Sequence, residues 1–432
     1  MNVVKIIPES LKSQTSYAPL CLLGQWAVEQ KLLKPLKEKV YIPQKTVKHS
    51  PNDKLIDVLI SILSGGTALY QINTNVRSDP ALQQAFGRES CAEQSTVADT
   101  LDHFTQDTIQ NLREAIETIY FCKGKIFQHD FNRKLLILDI DLTGLPASPE
   151  AEGSTKGYFP DKRNRTGRQL ARVTAPQYKE IIWEKLYPGN TTSHQVLKEA
   201  VKETERILGL DVDKEKRKKT LLRTDGGFGT DDNINWILWR GYQLITKGYS
   251  GTRAKKVAAT VEVWQEGPTQ GQKLGILTKP HRYARKTKPV ARRWQDKKRK
   301  WHQDLLITTL VDLNLNEVAK LYDGRGGMEV QIKGDKHGLG LAKRRKKRFY
   351  AQEALILLAQ LAHNLLVWFQ DYFLAGTKAA KLGTERLVKQ VLNIPGQIHW
   401  RWRKKVKLII NTHHPWADAF LQGVKNKFSL SG

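Results

Sequence analysis

From Leu135 to Thr246 the hydrophobic period changes in a set order, and that order limits the architecture more than any other feature. Leu135-Leu136-Ile137-Leu138 opens a continuous apolar run, the mark of a strand buried on both faces, and leads through Asp139-Ile140-Asp141-Leu142-Thr143-Gly144. Arg168 to Ala175 and Glu180 to Leu186 read as two more strands, the second closed by the turn Tyr187-Pro188-Gly189-Asn190. Thr192 and Gln195 form a capping box for a helix with Val196, Leu197, Ala200, Val201, Ile207 and Leu208 along it. A strand from Thr220 to Arg223 terminates at Asp225, Asp231 or Asp232 caps a short helix running to Trp239, and Tyr242 to Thr246 is a further strand.

The expectation is therefore an α/β protein. With the later helix around Glu329, the order β-β-β-α-β-α-β-α is that of a ribonuclease H-like core. Asp141 ends its first strand and Asp225, in the turn Asp225-Gly226-Gly227-Phe228-Gly229, ends its fourth. Taken singly, each acid reads as a turn-former or helix cap. Together, two strand-end carboxylates and one from a helix suit two Mg²⁺ ions about 4 Å apart. Magnesium accepts hard oxygen ligands and keeps waters or phosphate oxygens, so few protein ligands suffice. Asp139 and Asp141 project from the same face of a strand, so either is open as the first ligand.

Glu329 belongs to the string Tyr322-x2-Arg325-x3-Glu329-x6-Lys336. On one helix those positions share a face, and an acid flanked by two cations and a phenol is a poor core stripe. It suits a surface that holds metal with the acid and phosphate with the rest.

Lys and Arg outnumber Asp and Glu by 71 to 43, a net charge of +28 in 432 residues, and the surplus is clustered. Clustered cation points to a polyanion, most simply nucleic acid. Lys279 to Lys300 holds eleven basic residues against the single acid Asp296, interleaved with Trp294 and followed by Trp301. Arg292, Arg293, Lys297 and Lys298 from this run, with Arg344 and Arg345 from the run Lys343 to Arg348, are candidate phosphate contacts. A solvated, non-binding face is the alternative for each run. Cys21, Cys91 and Cys122 lack metal or disulfide spacing and read as reduced thiols. No signal peptide is legible, and Ala354 to Phe369 is too short and too polar for a membrane span, so no membrane association is expected. His413-His414 has no third ligand nearby and reads as structural.

Five pieces follow: an N-terminal helical part (1–128) that suits DNA binding, a first part of the core (129–250), and a β-rich basic insertion (251–318). The rest of the core with the Glu329 helix (319–374) and a basic C-terminal region (375–432), for DNA contact or dimerisation, complete the chain. In the first piece, helices are expected at Lys54 to Leu63, Ser95 to Phe104 and Gln106 to Phe121. In the insertion, Ala258 to Trp264 and Leu305 to Val311 read as strands, and a basic strand is expected around Trp400 and Trp402.

From about Leu55 to the C-terminus the sequence resembles bacterial cut-and-paste DDE transposases of the insertion-sequence-four superfamily. The resemblance rests on Asn75-Val76-Arg77-Ser78-Asp79, Ser95-Thr96-Val97, Asp139-Ile140-Asp141, Arg223 to Gly229 and Tyr322 to Lys336. It implies a metal triad of Asp141, Asp225 and Glu329, with Asp141 preferred over Asp139 because Asp141-x-Thr143 matches the family's Asp-x-Ser/Thr. It implies that Tyr322, Arg325 and Lys336 contact phosphates beside the scissile end, and that Trp294 or Trp301 stacks on a flipped base. Two Mg²⁺, replaceable by Mn²⁺, double-stranded terminal inverted repeats and target DNA, a homodimer on paired ends, and a cytoplasmic, nucleoid-associated location are expected with it. Gly324, Gly326, Gly327 and Gly334 depart from a good helix, at about 1 kcal/mol each. They leave open a helix that starts only at Gly327 or kinks. A nuclease of the same fold that does not join strands, and a non-catalytic basic DNA-binding protein, are the rival readings.

Overall fold

The computed structural model describes residues 12–46, 48–159, 165–277, 281–296, 298–400, 406–425 and 427–428. The chain forms two compact units, one from residues 124–332 and one from residues 1–123 with 333–432. The division falls inside a helix that belonged, from sequence, to a single piece spanning 319–374.

The 124–332 unit is built on one mixed sheet. Its labelled elements are β1 (Leu136–Pro146), β2 (Thr166–Ala175), β3 (Glu180–Pro188), α1 (Ser193–Leu208), β4 (Thr220–Thr224), α2 (Asp231–Trp239), β5 (Gln243–Lys247) and α3 (Gly251–Ala258). They continue with β6 (Lys273–Ile276), β7 (Lys288–Gln295), β8 (Trp301–Thr308), α4 (Leu315–Asp323) and α5 (Gly326–Gly338), the last crossing the unit boundary. The strands lie in the order β3-β2-β1-β4-β5-β8-β7-β6. β1, β2 and β3 pair antiparallel, β4 and β5 run parallel to β1, and β8, β7 and β6 continue antiparallel. The insertion therefore extends the main sheet instead of forming a separate body.

Local chemistry explains the main elements. Thr192 N–H donates to Gln195 Oε1 at 2.9 Å and starts α1, whose Val196, Leu197, Ala200, Val201 and Ile207 are buried. Thr230, rather than Asp231 or Asp232, caps α2, accepting from Asn233 N–H. Asp231 instead pairs with Arg253 and Tyr283. Ala258 to Trp264 is not a strand. Ser250 accepts from Arg253 N–H, so a helix, α3, begins there and runs to Ala258, and the chain is irregular from Val261 to Trp264.

The other unit is mainly helical, with helices at Ala18–Glu29, Pro51–Leu63, Gln94–Asp102, Gln106–Lys123 and Phe349–Phe373. The Phe349–Phe373 helix has the length and composition of a membrane span, yet nearly all of it is buried within this unit. Its Glu353 pairs with Arg113, and His363 meets Asp335 at 2.8 Å. A small sheet joins Gln14–Thr15, Gly396–Trp400 and Val406–Ile410, and Trp402 lies outside the described residues.

Candidate active site

β1 and β4 are parallel neighbours with Asp139 opposite Arg223. Two residues further along, on the same face, come Asp141 and Asp225. Adjacent parallel strands thus bring two carboxylates together where β4 ends; β1 itself runs on to Pro146, which corrects the expectation that Asp141 ends its strand. Asp225 opens the glycine turn, accepting from Gly227 N–H at 2.9 Å, and Phe228 anchors that turn in the core. Gly229 is required by close packing: a Cβ there would lie 2.0 Å from the Lys247 carbonyl oxygen.

The third acid arrives from the corner between α4 and α5. A capping box of Asn314 and Glu317 starts α4, which buries Leu315, Val318, Ala319 and Tyr322 against Leu221, Ile245, Leu274, Val290 and Leu306. The helix then stops at Asp323 and a new one begins at Gly326. Tyr322, Arg325, Glu329 and Lys336 therefore do not line one helical stripe, as their spacing had suggested. The break turns Arg325 inward. Its Nη2 donates to Asp141 Oδ1 at 2.5 Å and its Nη1 to Glu329 Oε1 at 3.2 Å. Arg325 itself is buried, the Asp141 side chain is 14% exposed, and Glu329 is 68% exposed.

The three acids act on one another electrostatically. Burial pushes the Asp141 carboxyl up to about 6; Arg325 opposes the shift, while Asp225 and Glu329 add to it. Burial works against the charge of Arg325, but Asp141, Asp225, Tyr322 and Glu329 outweigh it and raise its pKa. One guanidinium is thus the counter-charge for carboxylates from three distant segments. The donor set is all hard oxygen, which fits a divalent cation such as Mg²⁺. Among the described residues no group of three acids, His or Cys is drawn together tightly enough to ligate an ion as it stands, and Arg325 bridges Asp141 and Glu329.

Asp139 is fully buried, and both its oxygens accept from Arg223, at 2.6 and 2.7 Å. Of the two β1 acids, Asp141 is the one beside Glu329 and Asp225. Tyr322 is also buried, under the Arg292 guanidinium at 4.8 Å, so burial pushes its hydroxyl up to about 12. Its expected phosphate contact is corrected to a packing role. Lys336 lies in the last turn of α5.

The basic runs divide between interior and surface. Arg292 is buried and pairs with Asp304 and Asp323, each at 2.7 Å. Arg344 is buried and donates to the carbonyls of Leu339 and Gly66. Neither lines a phosphate track, which corrects both expectations: Arg292 is held by two carboxylates and Arg344 by two backbone carbonyls. Arg293 lies between the rings of Trp264 and Trp301, at 4.0 and 5.3 Å, and Trp294 stacks on His302. Strand register puts Trp294 on the same sheet face as Asp141 and Asp225, and Trp301 on the opposite face. Lys298 and Arg345 are exposed, and Lys297 lies outside the described residues.

Sequence reasoning missed Arg223 and Trp264. Arg223 had a legible signal: it precedes Asp225 by two residues, as Asp139 precedes Asp141, so paired neighbouring strands would set the two inner residues opposite each other. Trp264 had none, because its partners come from strands distant in sequence.

No curated protein matches the chain. Among solved structures, a similar chain is that of the cryo-EM structure of piggyBac transposase synaptic complex with hairpin DNA. It is 12% identical, with a TM-score of 0.46 over 89% of this chain and 82% of that one. The model of the family Transposase DDE domain group 1 matches residues 12–430, nearly the whole length. The chain therefore belongs to the DDE transposase domain group 1 family.

Proposed function

We propose that this transposase cuts DNA at the terminal inverted repeats of its own mobile element and joins the freed 3′ ends to target DNA. The observation that carries the reading is the single cation, Arg325, shared by Asp141 and Glu329 with Asp225 in electrostatic range. The order β3-β2-β1-β4-β5, with the first three strands antiparallel and the next two parallel to β1, supports a ribonuclease H-like core. Membership of the insertion-sequence-four branch is part of the proposal and rests on the Tyr322 to Lys336 spacing.

Asp141, Asp225 and Glu329 would hold two divalent ions. When bound, these ions supply an activated oxygen nucleophile and charge stabilisation at the phosphoryl group. The protein's own residues do the rest. β1 and β4 hold two carboxylates side by side where β4 ends, and the first turn of α5 carries the third on a separate element. Arg325 neutralises the cluster when no ion is present. Trp294, on the same sheet face as Asp141 and Asp225, would stack on a base displaced at the DNA end. Lys298 and Arg345 are surface cations for the backbone, and Lys336 is a further candidate contact. A dimer on paired ends and a cytoplasmic, nucleoid-associated location complete the proposal.

The test is incubation of the full chain with labelled candidate element ends and Mg²⁺ or Mn²⁺. End-specific nicks and joined products support the reading. Random cutting would leave only a nuclease, and a mobility shift without cutting would leave a DNA-binding protein. Asp141→Asn, Asp225→Asn and Glu329→Gln should each lower cleavage by about 10³-fold, the scale of losing a charge-stabilising group, while DNA binding persists.

A further inference from the structure

The Asp139–Arg223 pair is not part of the acid trio, yet it joins β1, which carries Asp141, to β4, which leads to Asp225, and reaches the end of α4, the helix before the one that carries Glu329. Asp139 and Arg223 face each other across β1 and β4 and form two charge-assisted hydrogen bonds in the protein interior. The remaining terminal nitrogen, Nη1, donates to the Leu321 carbonyl oxygen at 2.7 Å. Leu321 lies in the last turn of α4, where carbonyls run out of intrahelical donors and the helix dipole favours a cation. Gly324, at the break between α4 and α5, is packed against the same nitrogen: a Cβ there would lie 2.7 Å from Arg223 Nη1. Its φ of −56° is an ordinary helical value, so the contact, not backbone strain, favours glycine.

We propose that Arg223, held by Asp139, is a positioning residue for phosphoryl transfer. It sets the spacing between the β1–β4 pair, which carries Asp141 and Asp225, and the α4–α5 corner, which carries Arg325 and Glu329. A planar guanidinium is suited to this, because its rigid fork fixes the carboxylate and leaves another N–H directed at the helix end. A lysine keeps the charge and loses that geometry. The inference rests on the reading of Asp141, Asp225 and Glu329 as the cation-holding trio.

The test measures Mn²⁺ binding to the full-length protein by electron paramagnetic resonance, alongside cleavage of a candidate element end. Wild type is compared with Arg223→Lys, Gly324→Ala and Asp225→Asn, at a temperature where circular dichroism shows each to be folded. Loss of outer-shell orientation of metal ligands costs about 10–100-fold in affinity. Arg223→Lys and Gly324→Ala are therefore expected to weaken Mn²⁺ binding by at least about tenfold, on the same scale. The Mn²⁺ needed for half-maximal cleavage should rise in step, with DNA affinity unchanged. Gly324→Ala leaves both charges in place and decides the matter alone if Arg223→Lys does not fold. Wild-type Mn²⁺ affinity in folded Gly324→Ala, with only a lower melting temperature, overturns the positioning role and leaves a purely structural ion pair. If wild type and Asp225→Asn bind Mn²⁺ alike, the cation-holding reading of the trio falls, and the positioning role falls with it.

Discussion

Arg344 and Arg345 are adjacent in sequence and opposite in circumstance. Arg344 is buried against the carbonyls of Leu339 and Gly66, with no acid in hydrogen-bond contact among the described residues, and burial pulls its pKa down to about 9. Arg345 is exposed. Arg344→Ala strands buried carbonyls and should cost about 1–3 kcal/mol of unfolding free energy, measured by urea denaturation, without changing the salt dependence of DNA binding. Arg345→Ala should leave stability alone and reduce the slope of log affinity against log salt by about 1. Arg292 belongs with Arg344. Removing it leaves the buried carboxylate of Asp304 with only the half-exposed Lys247, at 3.3 Å, among the described residues, so Arg292→Ala should cost about 1–3 kcal/mol in the same denaturation measurement.

At the scale of elements, two backbone features put the site together. The first is the Asp225 to Gly229 turn, pressed against the end of β5 so closely that Gly229 cannot carry a side chain without moving backbone. Gly229→Ala should lower stability by about 1–3 kcal/mol, the usual cost of overpacking, seen as a lower urea midpoint. It should also weaken Mn²⁺ binding, because the displaced turn carries Asp225. The second is the break between α4 and α5. An unbroken helix would carry Arg325 around with the stripe of Tyr322, whereas the break lets Tyr322 join the core and Arg325 reach Asp141. The glycines around it lower the cost of that break, since each is a poor helix former.

For the whole molecule, the net charge of +28 is the property that acts at long range. Internal pairs such as Arg223–Asp139, Arg292–Asp304 and Arg172–Glu184 are each neutral and leave that surplus intact. The surplus steers association with a polyanion. If about six to ten phosphates are engaged, DNA affinity should fall by about 10³–10⁵ between 50 and 200 mM salt, measurable by fluorescence anisotropy. A flat salt response would remove DNA backbone contact as the purpose of the surplus. The insertion contributes to this surface while its strands β6, β7 and β8 lengthen the sheet that holds Asp141.

The sequence by itself determined the elements whose signals are local. β1 was legible because a strand buried on both faces is a continuous apolar run, and α1 because a capping box and an apolar stripe lie within a few residues of each other. The position of Asp225 just past a strand end followed directly, whereas Asp141, expected to end its strand, sits in the middle of β1. Tertiary structure alone decided which charges are solvated. Asp304 reaches Arg292 through strand pairing, Asp323 reaches it from α4, and Arg223 reaches Leu321 across ninety-eight positions of chain. Such partners leave no periodic trace, because hydrophobic period is set by neighbours along the chain whereas an ion pair is set by register between elements far apart in it. The same holds for Arg325. Its spacing from Glu329 was visible, but its place between two carboxylates depended on where a helix breaks.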